Sequence, residues 1–167
     1  MAYADDAAGQ FNLTVKSVSG GPPLRLTSYA GQTVRRVVWH PDGESLFFQA
    51  DAQGNESAQI YRMPAGGGDV QPLTETPGTW YWLALGEPFS PDGGRLAYVG
   101  NDRDPRNQDV LIRDLETDRI DRVYVDGGQV YVGYWSPDGV MDQHGPISRR
   151  LRPRGLRPAD RWWTGEK

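Results

Sequence analysis

The sequence predicts an all-β fold built from a repeated unit, and three observations support that prediction. The chain has 21 glycines and 13 prolines among 167 residues, of which 37% are hydrophobic and 11% aromatic. This composition is too apolar for a disordered chain and is typical of short strands joined by tight turns. A five-residue turn pattern also occurs three times, and a longer strand–turn–strand pattern recurs at a similar spacing.

The turn pattern is an aromatic residue, one variable residue and then Pro-Asp-Gly, at residues 39–43 (WHPDG), 89–93 (FSPDG) and 135–139 (WSPDG). Proline presets the first corner of a turn, aspartate bonds its own nearby backbone, and glycine accepts the positive φ of a hairpin. We assign the aromatic residues to the core and the rest to the turns. The residues so assigned are Trp39, Pro41, Asp42, Gly43, Phe89, Pro91, Asp92, Gly93, Trp135, Pro137, Asp138 and Gly139.

The spacing of the turns predicts the size of the repeat. Pro41 and Pro91 are 50 positions apart, and Pro91 and Pro137 are 46 apart. Periods of this length indicate propeller blades or solenoid units.

The elements follow the same order in each copy. A predicted strand at 11–18 is followed by GGPPLRLT at 20–27, and 47 positions later a strand at 59–63 (QIYRM) is followed by GGDVQPLT at 67–74. A third copy has strands at 109–113 and 120–124, with Thr117 and Asp118 in place of the glycines. Aspartate tolerates left-handed turn positions, so this hairpin is expected to form as well.

The strands that follow the proline turns read SLFF at 45–48 and RLAYV at 95–99, with alternate apolar residues on one face. Each repeat therefore has four strands, as a propeller blade does. We predict blade parts at about 1–27, 34–74, 79–124 and 130–139. A generic β-meander or sandwich with coincidental turns is the alternative. Because propellers close with roughly four to eight blades, we expect a partial propeller, a fragment of a longer ring with open sheet edges.

Residues 140–167 do not follow the repeat. They contain seven Lys or Arg against three Asp or Glu, in a chain of net charge −4. We expect this basic tail to be unstructured, and one hypothesis is that it is a propeller sequence translated in a shifted reading frame. A basic arm for nucleic acid is the alternative. Overall acidity argues against a nucleic-acid surface, so no nucleic-acid partner is expected.

The remaining candidate site residues are two histidines and three short stretches. His40 is interpreted as a turn residue rather than a catalytic base, and His144 lies in an unrelated context. Residues 51–56 (DAQGNE) weakly suggest a calcium loop but miss the EF-hand spacing. Residues 101–104 (NDRD) with Arg106 could clamp a peptide terminus or form local salt bridges. Residues 80–82 (WYW) could stack a sugar or base, or pack between blades.

The chain resembles the propeller domain of prolyl oligopeptidase family serine peptidases, in particular the acylaminoacyl-peptidase-like branch, over about residues 3–139. The resemblance rests on the three PDG turns, on GGPPLRLT and GGDVQPLT, on QADAQGNESAQIYRM at 49–63 and on NDRDPRNQD at 101–109. The turns and GG…LT elements alone occur equally in TolB-type propellers.

The resemblance implies a propeller that restricts access of short peptides to a C-terminal α/β-hydrolase domain. No G-x-S-x-G motif occurs in the sequence, so no catalytic residue is carried over and no peptidase activity is expected. The alternative is a TolB-like propeller that binds a protein partner. No cofactor, metal site or membrane contact is expected. The chain has no cysteine, and the absence of a visible signal peptide suggests a cytoplasmic protein.

Overall fold

The computed structural model describes residues 1–6, 9–52, 54–125, 127–139, 141–144 and 149–151, and every regular element among them is a β-strand. The fourteen strands form four antiparallel sheets in chain order. The first sheet holds β1 (Ala2–Asp5), β2 (Asn12–Val15) and β3 (Leu24–Arg25). The second holds β4 (Gln32–Trp39), β5 (Ser45–Ala52), β6 (Gln59–Pro64) and β7 (Gln71–Pro72). The third holds β8 (Tyr81–Leu83), β9 (Arg95–Asp104), β10 (Asn107–Asp114) and β11 (Ile120–Tyr124), and the fourth holds β12 (Tyr131–Trp135), β13 (Met141–His144) and β14 (Arg149–Leu151).

Consecutive strands pair in every sheet, so each sheet is a simple up-and-down meander. The two complete sheets have four strands and span residues 32–72 and 81–124, against predicted blades of 34–74 and 79–124. Successive sheets pack face to face and do not close into a ring among the described residues. This arrangement confirms the prediction of an all-β, partial propeller.

The PDG turns have the predicted geometry. The amide of each glycine donates to the carbonyl three residues earlier, at 2.9 Å for Gly43, 2.8 Å for Gly93 and 2.9 Å for Gly139. The three φ angles are +72°, +73° and +73°, in the left-handed region where glycine has no Cβ penalty. Asp42 Oδ1 accepts the amide of Glu44 at 2.7 Å, which stiffens the entry to β5.

The repeated Leu-Thr pair closes each outer hairpin through the threonine hydroxyl. Thr27 Oγ1 accepts the Leu13 amide at 2.9 Å, and Thr74 Oγ1 accepts the Ile60 amide at the same distance. In the third copy the turn uses Asp118 at φ +63°, as the sequence predicts for an aspartate in place of glycine.

The core consists of three separate layers between neighbouring sheets. Along β5, Leu46 and Phe48 face the layer shared with the first sheet, whereas Phe47 faces the layer shared with the third. Along β9, Leu96 and Tyr98 face the second sheet and the alternate residues face the fourth. Both faces of these strands are buried, because the second and third sheets are each covered on two sides as a propeller blade is.

Polar contacts also join the second and third sheets, in addition to this packing. His40 stacks on Phe47 with ring centroids 5.7 Å apart, and its Nε2 lies 2.9 Å from the Gly93 carbonyl oxygen. Arg113, on β10, donates to the Leu73 carbonyl after β7 and pairs with Asp118. The PDG turn of one sheet therefore contacts the PDG turn of the next.

The assignment of Trp39 to the core is wrong, whereas Phe89 is 3% exposed and Trp135 packs against the third layer. Trp39 is 37% exposed. Phe89 packs edge-on to Phe47 at 4.9 Å, but the register of the first sheet places the small residue Ala2 where the second sheet has Phe47. Trp39 therefore lacks an aromatic partner.

Two strands lie within the segment that the sequence analysis separates from the repeat. β13 pairs with β12 and β14 pairs with β13, and Met141 is fully buried in the third layer. The expected end of the blade at Gly139 therefore differs from the structure, which continues the hairpin past the turn. The remainder of the predicted tail, namely residues 140, 145–148 and 152–167, lies outside the described residues. Among the described residues, no helix is long and apolar enough to cross a membrane.

Candidate functional site

The first strands of successive sheets meet along one edge of the molecule, and this edge holds the candidate site. The Arg36 guanidinium, on β4, reaches the segment after β8 and donates to four carbonyl oxygens at 2.6–3.2 Å. The acceptors are the carbonyls of Leu83, Ala84, Leu85 and Gly86. The Leu85 amide in turn donates to the Val132 carbonyl on β12 at 2.9 Å. In a propeller the strands at this edge line the central channel.

Burial lowers the pKa of Arg36 from its ordinary value, and the nearby Glu87 carboxylate opposes that shift. An arginine side chain stays protonated in proteins, so the group that donates to the four carbonyls carries a full positive charge. The register of β4 shifts between Val34 and Arg36. The Arg35 side chain bonds Asp51, whereas the Arg36 side chain bonds the segment after β8.

Two buried amide side chains fix β8. Gln49 is fully buried, and its Nε2 donates to the Tyr81 carbonyl at 2.9 Å while its Oε1 accepts the Leu83 amide at 3.4 Å. Asn101 Oδ1 accepts the Trp80 amide at 3.0 Å. These bonds fix a strand of only three residues, and with it Trp82 within the strand and Trp80 directly before it.

An apolar cleft of about 350 Å³ opens between β8 and β12. Three of its lining side chains are well exposed: Trp82 at 42%, Tyr131 at 50% and Leu85 at 67%. The residues that line it are Trp80, Trp82, Leu83, Ala84, Leu85, Val99, Gln108, Val130, Tyr131 and Val132. An apolar pocket with a few polar groups is the ordinary form of a ligand site.

A second cleft, of about 280 Å³, lies on the other side of the tryptophan pair and is called here the carboxylate cleft. Its lining residues are Arg35, Asp51, Glu56, Ala58, Trp80 and Trp82. The Trp80 and Trp82 rings meet edge to face with centroids 6.4 Å apart, as the alternation of a strand predicts for two residues on one face. The two tryptophans therefore separate an apolar cleft from a charged one.

The predicted peptide clamp at residues 101–106 is occupied by internal ion pairs. Arg122 pairs with Asp102 at 2.7 Å and with the buried Asp109 at 2.7 Å, and Arg103 also pairs with Asp109 at 2.7 Å. Asp104 Oδ1 accepts the Arg106 amide at 3.0 Å. These groups have local partners, which supports the salt-bridge interpretation of this loop.

The calcium-loop hypothesis at 51–56 finds no support in the described residues, which do not include Gln53. Asp51 Oδ2 is engaged by Arg35, and Asn55 Oδ1 accepts the Ser57 amide at 3.0 Å. Within the described part of the chain, no group of three His, Cys, Asp or Glu side chains could hold a metal ion.

The tryptophans stand out in the sequence, whereas the residues that position them do not. His40 lies in an aromatic stack between two sheets, and its Nδ1 lies 2.9 Å from Asp42 Oδ2, which fits the turn-residue interpretation. His144 ends β13 opposite Tyr131. Gln49 carried one visible signal, because it directly follows the apolar run LFF, whereas Arg36 lies beside Arg35 and Asn101 begins the polar run NDRD.

Solved propeller structures resemble the chain over most of its length. TolB from Acinetobacter baumannii matches 92% of the chain with a TM-score of 0.64 and 19% identity. A structure from a study of two prolyl endopeptidases matches 93% with a TM-score of 0.57 and 13% identity, and a Mycobacterium tuberculosis puromycin-hydrolyzing peptidase matches 90% with 0.54 and 18%. The chain spans 38%, 26% and 25% of those three chains, respectively.

No family model matches the chain, and no curated protein matches it significantly. At these identities the likeness establishes the fold. The chain has the β-propeller fold that TolB and the propeller domains of these peptidases share.

Proposed function

We propose that this chain is part of a propeller that gates the access of short peptides to the hydrolase domain of a serine peptidase, and that it contributes no peptidase chemistry itself. The observation that carries the proposal is the apolar cleft at the edge where the first strands meet. Exposed aromatic side chains line this cleft. In a closed propeller the strands of this edge line the channel, so a peptide passing through would contact these side chains.

The likeness to solved peptidases supports the same proposal. Two of the resembling structures are peptidases, and the chain corresponds to about a quarter of each. In this proposal the remainder of the parent protein supplies the nucleophile and its partners, in accordance with the absence of G-x-S-x-G from the sequence.

Calorimetric titration with short apolar peptides tests the role of the cleft. The chain is expected to bind a tetrapeptide, and Tyr131→Ala is expected to weaken binding by about threefold or more because it removes an aromatic wall. Ile120→Ala is the matched control, since Ile120 is 45% exposed on β11, the edge strand of the third sheet opposite to β8 and the cleft. Equal losses in both variants would contradict a role of the cleft.

An activity assay tests the lack of peptidase chemistry. The purified chain is expected to leave aminoacyl chromogenic substrates intact at the rate of buffer alone. Hydrolysis that copurifies with the chain and persists in repeated preparations would overturn this part of the proposal.

A TolB-like module that binds a folded protein is the second candidate. The higher TM-score of the TolB match favours it, and so does the exposure of Tyr134 at 65%, on the same strand as Tyr131. The parent coding sequence separates the two candidates. The peptidase proposal requires a hydrolase domain with G-x-S-x-G in the parent protein, whereas the TolB-like proposal requires further blades and no catalytic domain.

A further inference from the structure

We propose that the carboxylate cleft binds an organic ammonium group, with the hydrocarbon part of the ligand in the adjoining apolar cleft. This inference goes beyond the proposed gating function and holds for either parent protein. It rests on an unpaired buried oxygen, on the charges of the cleft and on the two tryptophans that border it.

The unpaired oxygen belongs to Asp51, whose side chain is 1% exposed. Both nitrogens that Arg35 offers go to the same carboxylate oxygen, Oδ2, from Nε at 2.9 Å and from Nη2 at 2.8 Å. The other oxygen, Oδ1, is buried and has no hydrogen-bond partner among the described residues. A buried carboxylate oxygen without a donor is costly, so the site is completed by a ligand that brings one.

The charges of the cleft indicate the sign of that ligand. Arg35 contributes one positive charge, whereas Asp51 and Glu56 contribute two negative charges. The Glu56 side chain lines the cleft and is exposed, whereas Asp51 is buried, so Glu56 is the more accessible carboxylate for a ligand. A donor with positive charge therefore matches both the unpaired oxygen and the net charge of the site.

The tryptophans distinguish an ammonium group from a metal ion. Among the described residues, two carboxylates line the cleft, and its other lining residues are Arg35, Ala58 and the indoles of Trp80 and Trp82. A divalent cation prefers six or more oxygen ligands, whereas an alkylammonium is attracted to indole faces within about 6 Å. The combination of carboxylates and indoles favours the organic cation.

The position of the same tryptophans also indicates the chemistry of the rest of the ligand. Trp80 and Trp82 line both clefts, so a group bonded to the ammonium carbon passes directly into the apolar cleft of about 350 Å³. A small amine with an apolar substituent fits this arrangement. The amino terminus of a peptide that begins with an apolar residue presents the same chemistry.

Calorimetric titration of the chain with 2-phenylethylammonium and with 2-phenylethanol at pH 7 tests the inference, because the two probes share the apolar part and differ in the charged group. The amine is expected to bind about tenfold more tightly than the alcohol, and its affinity is expected to fall as salt is raised. Equal affinities, or no binding of the amine, would overturn the inference.

Two substitutions locate the binding in the carboxylate cleft. Glu56→Gln keeps the size of an exposed side chain and is expected to weaken the amine about threefold without changing the alcohol, and Asp51→Asn is expected to weaken the amine more. Glu116→Gln is the matched control, an exposed glutamate in the turn before β11. If Asp51→Asn does not fold, Glu56→Gln still decides: an unchanged amine affinity in that variant contradicts the site.

Two dipeptide amides then separate the sources of the ammonium group. Leu-Gly-amide has a free amino terminus, and N-acetyl-Leu-Gly-amide lacks the charge. Binding of the first alone identifies peptide amino termini as ligands, whereas binding of neither, with the phenylethylammonium result intact, identifies a free amine. Equal binding of both dipeptides would contradict recognition of the ammonium group.

Discussion

Phe89 and Trp39 occupy the same position in two repeats but differ in environment. Phe89 is 3% exposed and packs on Phe47 and His40, whereas Trp39 is 37% exposed. Phe89→Ala is therefore expected to lower the free energy of unfolding by about 3–5 kcal/mol, and Trp39→Ala by clearly less. Urea unfolding followed by far-UV circular dichroism measures both. A larger loss for Trp39→Ala would contradict the packing described here.

Thr74 offers a second test at this scale, because its hydroxyl is the acceptor for a buried amide. Thr74→Val keeps the shape of the side chain but leaves the Ile60 amide without this acceptor. We expect a loss of about 1–3 kcal/mol in the free energy of unfolding, which urea titration measures. Thr76→Val is the control and should change stability by less, because this exposed threonine bonds the Tyr81 hydroxyl, at 3.0 Å, rather than a buried amide.

The sequence was informative for residues whose role is local and uninformative for those whose partners are distant. The PDG turns and Asp118 satisfy backbone demands within a few residues, so their patterns predict their geometry. Gln49 bonds residues more than thirty positions away, and Arg36 bonds carbonyls nearly fifty positions away. No spacing rule reports such partners, because sheet packing alone brings them together.

At the scale of elements, the short strand β8 is held by side chains of the neighbouring sheet. It has three residues, and Arg36 and Gln49 hold it from the second sheet. Arg36→Ala is expected to free the segment at 83–86 while the remaining strands stay paired. Hydrogen exchange measures this as faster exchange of the Leu85 amide, by about tenfold, with little change at Val110.

Arg36→Lys serves as the comparison for that experiment. A lysine ammonium lacks the planar fork that reaches four carbonyls, so it should restore only part of the protection. Full protection of the Leu85 amide in Arg36→Ala would contradict the positioning role of the guanidinium.

The fourth sheet marks the limit of what strand patterns predict. β13 lacks the apolar run of its counterparts in β5 and β9, and the sequence analysis accordingly ended the blade at Gly139. Pairing with β12 and burial of Met141 place a strand there nonetheless. Backbone hydrogen bonds to β12 therefore form a strand at β13, although its side chains lack an apolar pattern. The reading-frame hypothesis remains a proposal, which resequencing of the gene over codons 140–167 tests.

At the scale of the whole molecule, aspartates near arginines and backbone amides determine the response to acid. The Ser90 hydroxyl lowers the pKa of Asp92, the Arg122 guanidinium lowers that of Asp102, and the Arg106 amide lowers that of Asp104 to about 2. These groups ionise more readily in the folded chain than in the unfolded one. They therefore add stability above the unfolded pKa of about 4, and that stability is lost as the pH falls through the folded values.

We expect the urea midpoint to change little between pH 7 and pH 5 and to fall between about pH 4 and pH 2. Asp102→Asn should lower the midpoint at pH 7 and make the acid decline shallower, because it removes one of the responsible carboxylates. Glu116→Gln is the control and should retain the full decline. A decline that is complete above pH 5 would contradict the assignment to these aspartates.

The number of sheets, their order and their four-stranded form follow from the repeat, because each blade is specified by local turns and alternating strands. The clefts do not follow from it. They arise where neighbouring sheets leave a gap, and the width of a gap depends on side chains from two blades at once.

The two arginine ties between the second and third sheets have a geometric consequence. Arg36 joins the sheets at the edge of their first strands, and Arg113 joins them near their outer strands. Two contacts at different distances from the axis of a propeller fix the angle between the two sheets. In a closed ring of sheets that meet at this angle, the number of blades is a full turn divided by the angle. The reach of two guanidinium groups thus helps to set the circumference of any ring that sheets at this angle would close, a property that no single sheet possesses.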